Sequence, residues 1–191
     1  MRLFVAVTVD AGPLDAVQAL AGELRRRAGD LAPGARITWI PAERMHLTVR
    51  FIGQVDGPGA ERVTAALAPA LPQPPFRMTL GGAGVFPERG APRVLWVGVQ
   101  AGAAELRTVA RTVTDRLAVV GVAPEDRGFS PHLTLARVRD AAGLRSRAWL
   151  SSLESAPLGT TRVDAITLYE SRLSPKGPTY VPLQRSPLIP A

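Results

Sequence analysis

The 191 residues contain no cysteine, one lysine and two histidines. The missing thiol removes disulfides, thiolate nucleophiles and sulfur-ligated metal sites, and it suits a reducing compartment such as the cytoplasm. With two histidines, Zn²⁺, which takes three or four ligands at close spacing, has no obvious donor set. No apolar run approaches the length that spans a bilayer. The first residues, Met1-Arg2-Leu3-Phe4-Val5-Ala6-Val7, meet Asp10 too soon for a secretory leader. The expectation is a soluble cytoplasmic protein, monomeric, with neither metal nor cofactor.

What is present is arginine. Against 16 acidic residues stand 23 basic ones, a net charge of +7, and Lys176 is the only lysine among them. Guanidinium groups suit bidentate phosphate contacts, so an anionic partner such as nucleic acid is expected. Hydrophobic residues make up 46% of the chain and charged residues 20%, the balance of a folded globular protein with one substantial core.

The two histidines carry the main signal. His46-Leu47-Thr48-Val49 and His132-Leu133-Thr134-Leu135 are two copies of one pattern, 86 positions apart (132 − 46), close to half the chain. On a β-strand alternate side chains share a face. His46 and Thr48 then point one way, with Leu47, Val49 and Phe51 opposite. His132 and Thr134 pair likewise, with Leu133 and Leu135 opposite. Two imidazoles and two hydroxyls facing a common groove form a set suited to displacement at phosphorus. One imidazole serves as general base and the other as general acid, and hydroxyls hydrogen-bond the charge gathering on equatorial oxygens. Alternation also puts Arg50 on the His46 side, as a candidate phosphate contact. It puts Arg137 away from His132, unless a bulge after Leu135 re-aims it. Phe129, Tyr169 and Tyr180 are candidate stacking partners for a base, core packing being the stronger expectation for Phe129.

Around these motifs the pattern is mixed α and β. Strands are expected at 2–9, 37–40, 45–52, 76–80, 92–99 and 163–173, with a closing strand beginning at Tyr180. Helices are expected at 13–28, 58–70, 103–120 and 141–153. Arg25-Arg26-Arg27 ends the first helix as a solvated face. Gly81-Gly82-Ala83-Gly84 has neither the Lys-Ser/Thr of a phosphate loop nor a following helix, and reads as a bulge or tight turn. Strand–helix–motif order occurs twice. This gives a single α+β domain over 1–191 with two pseudo-symmetric lobes, each an antiparallel sheet with helices on its outer face, and a groove between the sheets.

The chain resembles the two-histidine phosphoesterase superfamily, and within it the LigT-like RNA 2′,3′-cyclic phosphodiesterases. The similarity rests on Met45-His46-Leu47-Thr48-Val49-Arg50-Phe51-Ile52-Gly53 and on Phe129-Ser130-Pro131-His132-Leu133-Thr134-Leu135-Ala136-Arg137. Arg2 to Ala6, Pro92 to Trp96 and Leu168 to Leu173 support it. The resemblance implies metal-independent opening of a 2′,3′-cyclic phosphate at an RNA 3′ end to a 2′-phosphate. It implies His46 as proton donor, His132 as proton acceptor and Arg137 as phosphate ligand. The alternatives are 2′–5′ RNA ligation, a small cyclic nucleotide as substrate, or RNA binding without chemistry.

Overall fold

The buried helix faces and the two bulged motif strands decide how the chain closes. In the computed structural model, which describes residues 1–125, 128–144, 150, 156–175 and 177–190, the chain opens with β1 (Arg2–Val7). Helix α1 (Ala11–Leu31) follows, burying Pro13, Val17, Ala21, Leu24 and Ala28 at helical spacing. β2 (Arg36–Trp39) and a 3-10 turn (Ala42–Arg44) lead into β3 (Leu47–Gln54). Helix α2 (Gly57–Leu67) starts where the Asp56 carboxylate accepts from the Gly59 amide at 2.7 Å. β4 (Leu71–Pro72), β5 (Phe76–Phe86) and β6 (Val94–Ala101) precede α3 (Ala103–Val119), which buries Leu106, Val109, Ala110, Val113 and Leu117. The chain closes with β7 (His132–Asp140), β8 (Pro157–Val163), β9 (Ala165–Arg172) and β10 (Thr179–Ile189).

The ten strands form one sheet in the order β4-β10-β9-β1-β3-β7-β6-β5-β8, with β2 on β7. All pairs are antiparallel except β4 with β10. The two halves join through β3 and β7, which pair at a single position, Leu47↔Leu133. Both leucines are fully buried. On one side of that pair β7 takes β2 as its partner, and on the other β3 runs on past the start of β7, so the halves are lobes of one sheet rather than two separate sheets. Helices α2 and α3 pack behind the first half, against β10 and β3, while α1 packs against β8 of the second. The buried Ser186 hydroxyl ties β10 to α2 by donating to the Leu67 carbonyl. The α+β, two-lobed architecture expected from the sequence therefore holds.

The internal duplication is visible in the register. In the first half Thr48 faces Ala6, Arg50 faces Val5 and Phe51 faces Phe4, with Val49 skipped. In the second, Thr134 faces Trp96, Ala136 faces Leu95 and Arg137 faces Val94, with Leu135 skipped. Each motif strand thus bulges one residue after its threonine, and the side chains that follow the bulge change face. The glycine cluster of β5 is also a bulge: pairing with β6 slips between Gly81 and Ala83, where Gly82 has φ 69°.

One strand was not expected. The strand expected over 163–173 is β9, and a further strand, β8, lies just upstream of it, parted at Asp164; Pro157 and Gly159 disguise β8 as a turn. The expected helix over 141–153 lies largely outside the described residues.

Candidate active site

His46 sits in the extended step between the 3-10 turn and β3, and His132 is the first residue of β7. Each imidazole is anchored in the same way. His46 Nδ1 lies 2.9 Å from the Arg44 carbonyl and His132 Nδ1 lies 2.7 Å from the Ser130 carbonyl, both two residues upstream. A carbonyl accepts only from N–H, so Nδ1 carries the hydrogen in both rings and Nε2 is left for the groove. Aromatic rings brace each histidine. Phe4 stacks on His46 with centroids 4.8 Å apart, and Tyr180 meets it edge-on at 5.0 Å. Phe86 meets His132 edge-on at 5.1 Å, and Trp96 lies at 6.3 Å. Trp96 is laid flat by Gly84, where a Cβ would fall 2.2 Å from the indole.

The seam fixes the layout of the four polar groups. With Leu47 opposite Leu133, antiparallel register sets His46 opposite Thr134 and Thr48 opposite His132. The histidines are then diagonal neighbours, with Cβ atoms about 7–8 Å apart in standard sheet geometry. That leaves room for a phosphate between two Nε2 atoms. Neither threonine hydroxyl makes a hydrogen bond among the described residues, so both are free to donate into the groove.

The cations sort differently from strict alternation. The bulge after Thr134 brings Arg137 to the groove face, where it is exposed and makes no ion pair among the described residues. It reaches across to the other half: burial raises the Tyr180 phenol above its ordinary pKa, and the guanidiniums of Arg137, Arg44 and Arg2 pull it back. The matching bulge after Thr48 does the reverse to Arg50, which was expected beside His46. Arg50 is 4% exposed, ion-paired with Glu125 at 3.2 Å, and donates to the Ala123 carbonyl. It holds the loop after α3 and is not a groove cation. Phe51, expected in the core, is turned out instead, 51% exposed and 6.3 Å from the Phe4 ring.

Of the two tyrosines, Tyr180 touches His46. Tyr169 stacks behind Phe4 at 5.4 Å and backs that ring rather than meeting the imidazole. Phe129 packs against the core and also lines the groove's cavity. Sequence reasoning passed over Phe4, Phe86 and Trp96 as site residues. The stretches around them, Leu3–Val7, Ala83–Phe86 and Val94–Val97, are apolar, so no alternation reveals which face they take.

Burial sets the protonation state of the first histidine. Desolvation lowers the His46 pKa from 6.5 to about 4, against the opposing pull of the Arg44 carbonyl. His46 is therefore neutral at pH 7. Among the described residues no group of three His, Cys, Asp or Glu converges as a metal site.

Known proteins resemble this one over most of the chain. A family model described as the 2′-5′ RNA ligase superfamily matches residues 6–174. The chain is 37% identical over 163 residues to a protein of Aeropyrum pernix named RNA 2′,3′-cyclic phosphodiesterase, covering 84% of this chain and 92% of that one. It is 33% identical over 188 residues to a protein of the same name from Archaeoglobus fulgidus, covering 96% and 98%. Its fold matches the crystal structure of E. coli LigT complexed with 3′-AMP. The TM-score is 0.75 at 26% identity, over 98% of this chain and 97% of that one.

Proposed function

The chain belongs to the 2′-5′ RNA ligase superfamily, and on that premise we propose that it hydrolyses RNA 2′,3′-cyclic phosphate ends to 2′-phosphates without a metal ion. The observation that carries the reading is the matched presentation of His46 and His132. Each is locked with Nδ1 on a backbone carbonyl and sits diagonally across a seam from the other, beside an uncommitted threonine. The names of the relatives, RNA 2′,3′-cyclic phosphodiesterase, support the same substrate.

In-line attack requires the nucleophile and the leaving oxygen on opposite sides of phosphorus. Water attacks from the His132 side, and His132 Nε2 takes its proton as the new P–O bond forms. The P–O3′ bond breaks, and His46 Nε2–H gives its proton to O3′. The products are a 2′-phosphate and a free 3′-hydroxyl, and the two imidazoles exchange protonation states. Thr48, Thr134 and Arg137 meet the negative charge that builds on the equatorial oxygens. His46 must enter this cycle protonated although its burial by itself keeps it neutral. The anionic phosphate supplies the compensating charge and raises its pKa on binding. Phe4, Tyr169 and Tyr180 wall the His46 side, with Phe51 exposed beside Phe4 for the terminal nucleoside.

The test is an RNA oligonucleotide with a 2′,3′-cyclic phosphate end, incubated with the protein in EDTA. The product phosphate is mapped to O2′ or O3′. A 2′-phosphate in EDTA, lost in His46→Ala and His132→Ala variants that remain folded, supports the reading. A 3′-phosphate, chelator sensitivity or an unchanged cyclic end overturns it. Joining of a 5′-hydroxyl RNA in place of hydrolysis would assign ligation to the same centre. No described helix is long and apolar enough to cross a membrane.

A further inference from the structure

Past the Leu47↔Leu133 pair, the edge of β3 that faces β7 has no strand partner among the described residues. The wedge it leaves is a cavity of about 870 Å³ whose lining includes Thr48 and His132 together with Phe51, Phe86, Pro87 and Phe129. A second cavity, of about 420 Å³, adjoins it. The two share Val49, Arg50, Glu125, Gly128 and Phe129, and the second ends on α3 at Arg107 and Arg111.

The charge along this path changes in a particular order. Near the reaction centre the wall is aromatic and apolar apart from Thr48, Ser130, His132 and the exposed Arg93. In the middle, Arg50 and Glu125 neutralise one another at 3.2 Å. At the far end Arg107 and Arg111 are exposed, and neither makes an ion pair among the described residues. Four residues apart on one helix, they lie on the same face about 6 Å from each other. Aromatic surface followed by unpaired guanidinium is the chemistry that single-stranded RNA meets in its hosts: bases stack, then phosphates bind. The first cavity is lined by His132 and Thr48 but by no residue of α3, so a mononucleotide seated in it does not reach Arg107 or Arg111.

We propose that the RNA strand preceding the cyclic phosphate runs through this wedge and over α3, where Arg107 and Arg111 hold its backbone phosphates. This rests on the groove being the site for an RNA terminus, and adds that the enzyme prefers a chain to a single nucleotide. The track enters KM and not the chemical step, because it contacts the part of the substrate that does not change during the reaction.

The experiment compares kcat/KM on a cytidine 2′,3′-cyclic phosphate and on a hexanucleotide with the same end. It uses the wild-type protein, Arg107→Gln/Arg111→Gln, and Arg25→Gln/Arg26→Gln, which removes equal charge from α1. The wild type is expected to favour the hexanucleotide by about tenfold or more. The α3 variant should lose about five- to tenfold of that preference through KM, with the mononucleotide rate unchanged. Its log–log salt slope should be shallower by about 1.4, two phosphates at 0.7 each for single strands. The α1 variant should behave as wild type. Equal rates on both substrates in the wild type would overturn the track. So would an equal loss on both in the α3 variant, or an equal loss in the α1 variant. If the wild type turned over neither substrate, the reading of the centre would fall instead. Anisotropy of a labelled hexanucleotide ending in 2′-phosphate then decides the track alone: weaker binding in the α3 variant only supports it, and unchanged binding overturns it.

Discussion

His46 carries the sharpest tension in the molecule: the nitrogen assigned to give a proton, Nε2, carries none at neutral pH in the neutral ring. Stacking under Phe4 and beside Tyr180 strips water from the ring, so its pKa falls to about 4, largely through desolvation. The sign for stability follows. Between pH 6.5 and about 4 the unfolded chain binds a proton at this residue that the folded chain refuses, so stability falls as pH drops through that window. The loss should reach about 2–3 kcal/mol, allowing for partial solvent access, and a His46→Gln variant should show a flatter profile by chemical denaturation at pH 4.5 and 7. Binding should reverse the shift. In NMR titrations of the Cε1 proton, a bound 2′-nucleotide should move the His46 midpoint upward by at least one unit; an unmoved midpoint would count against its donor role. The threonines give a second prediction at this scale. With hydroxyls uncommitted in the fold, Thr48→Val and Thr134→Val should leave stability nearly unchanged and lower kcat by about 10²-fold each, the effect of removing one transition-state donor.

The elements that matter most are two strands whose bulges re-aim their side chains. The sequence motif made both histidines, both threonines and the two-lobed α+β plan legible, because a repeated His-x-Thr on an apolar strand has one geometric meaning. Face assignments past the threonine were not legible, because a single extra residue inverts them and leaves no trace in composition. Arg137 was anticipated on the condition of such a bulge; Arg50 was not, and it lies on the opposite face. β8 was missed because an edge strand beginning with Pro and containing Gly looks like a turn. The bulges yield a paired prediction for two arginines that strict alternation would rank the other way. Arg137→Gln should lower kcat/KM by about 10- to 100-fold, the loss of one charged contact worth roughly 1.5–3 kcal/mol, with no change in melting temperature. Arg50→Gln should leave the chemical step nearly intact. It should cost about 2–3 kcal/mol of stability, since it strands the Ala123 carbonyl and unpairs the half-exposed Glu125. Calorimetry alongside steady-state rates separates the two.

For the molecule as a whole, the groove is a consequence of how little holds its halves together along the sheet. Ten strands share one hydrogen-bonded network, yet the two motif strands pair at one position only. A longer β3–β7 ladder would flatten the sheet and close the wedge; no ladder would leave the histidines without a common frame. The helices behind the sheet supply the remaining rigidity, and one buried core runs through both halves, from Leu3 and Val17 to Leu95 and Leu133. The angle between the lobes is therefore a packing property centred on Leu47 and Leu133, which separates site geometry from stability in a measurable way. Leu47→Ala removes a fully buried side chain at the seam, and Leu67→Ala removes one that is 1% exposed at the end of α2. Each should cost about 2–5 kcal/mol by cavity formation. Only the seam variant should also lower kcat on a cyclic phosphate, by about tenfold or more, since sub-ångström misplacement of acid against base is expensive in rate. Measured well below both melting transitions, a rate loss of equal size in the two variants would show that general loosening, and not the seam, sets the spacing of the imidazoles.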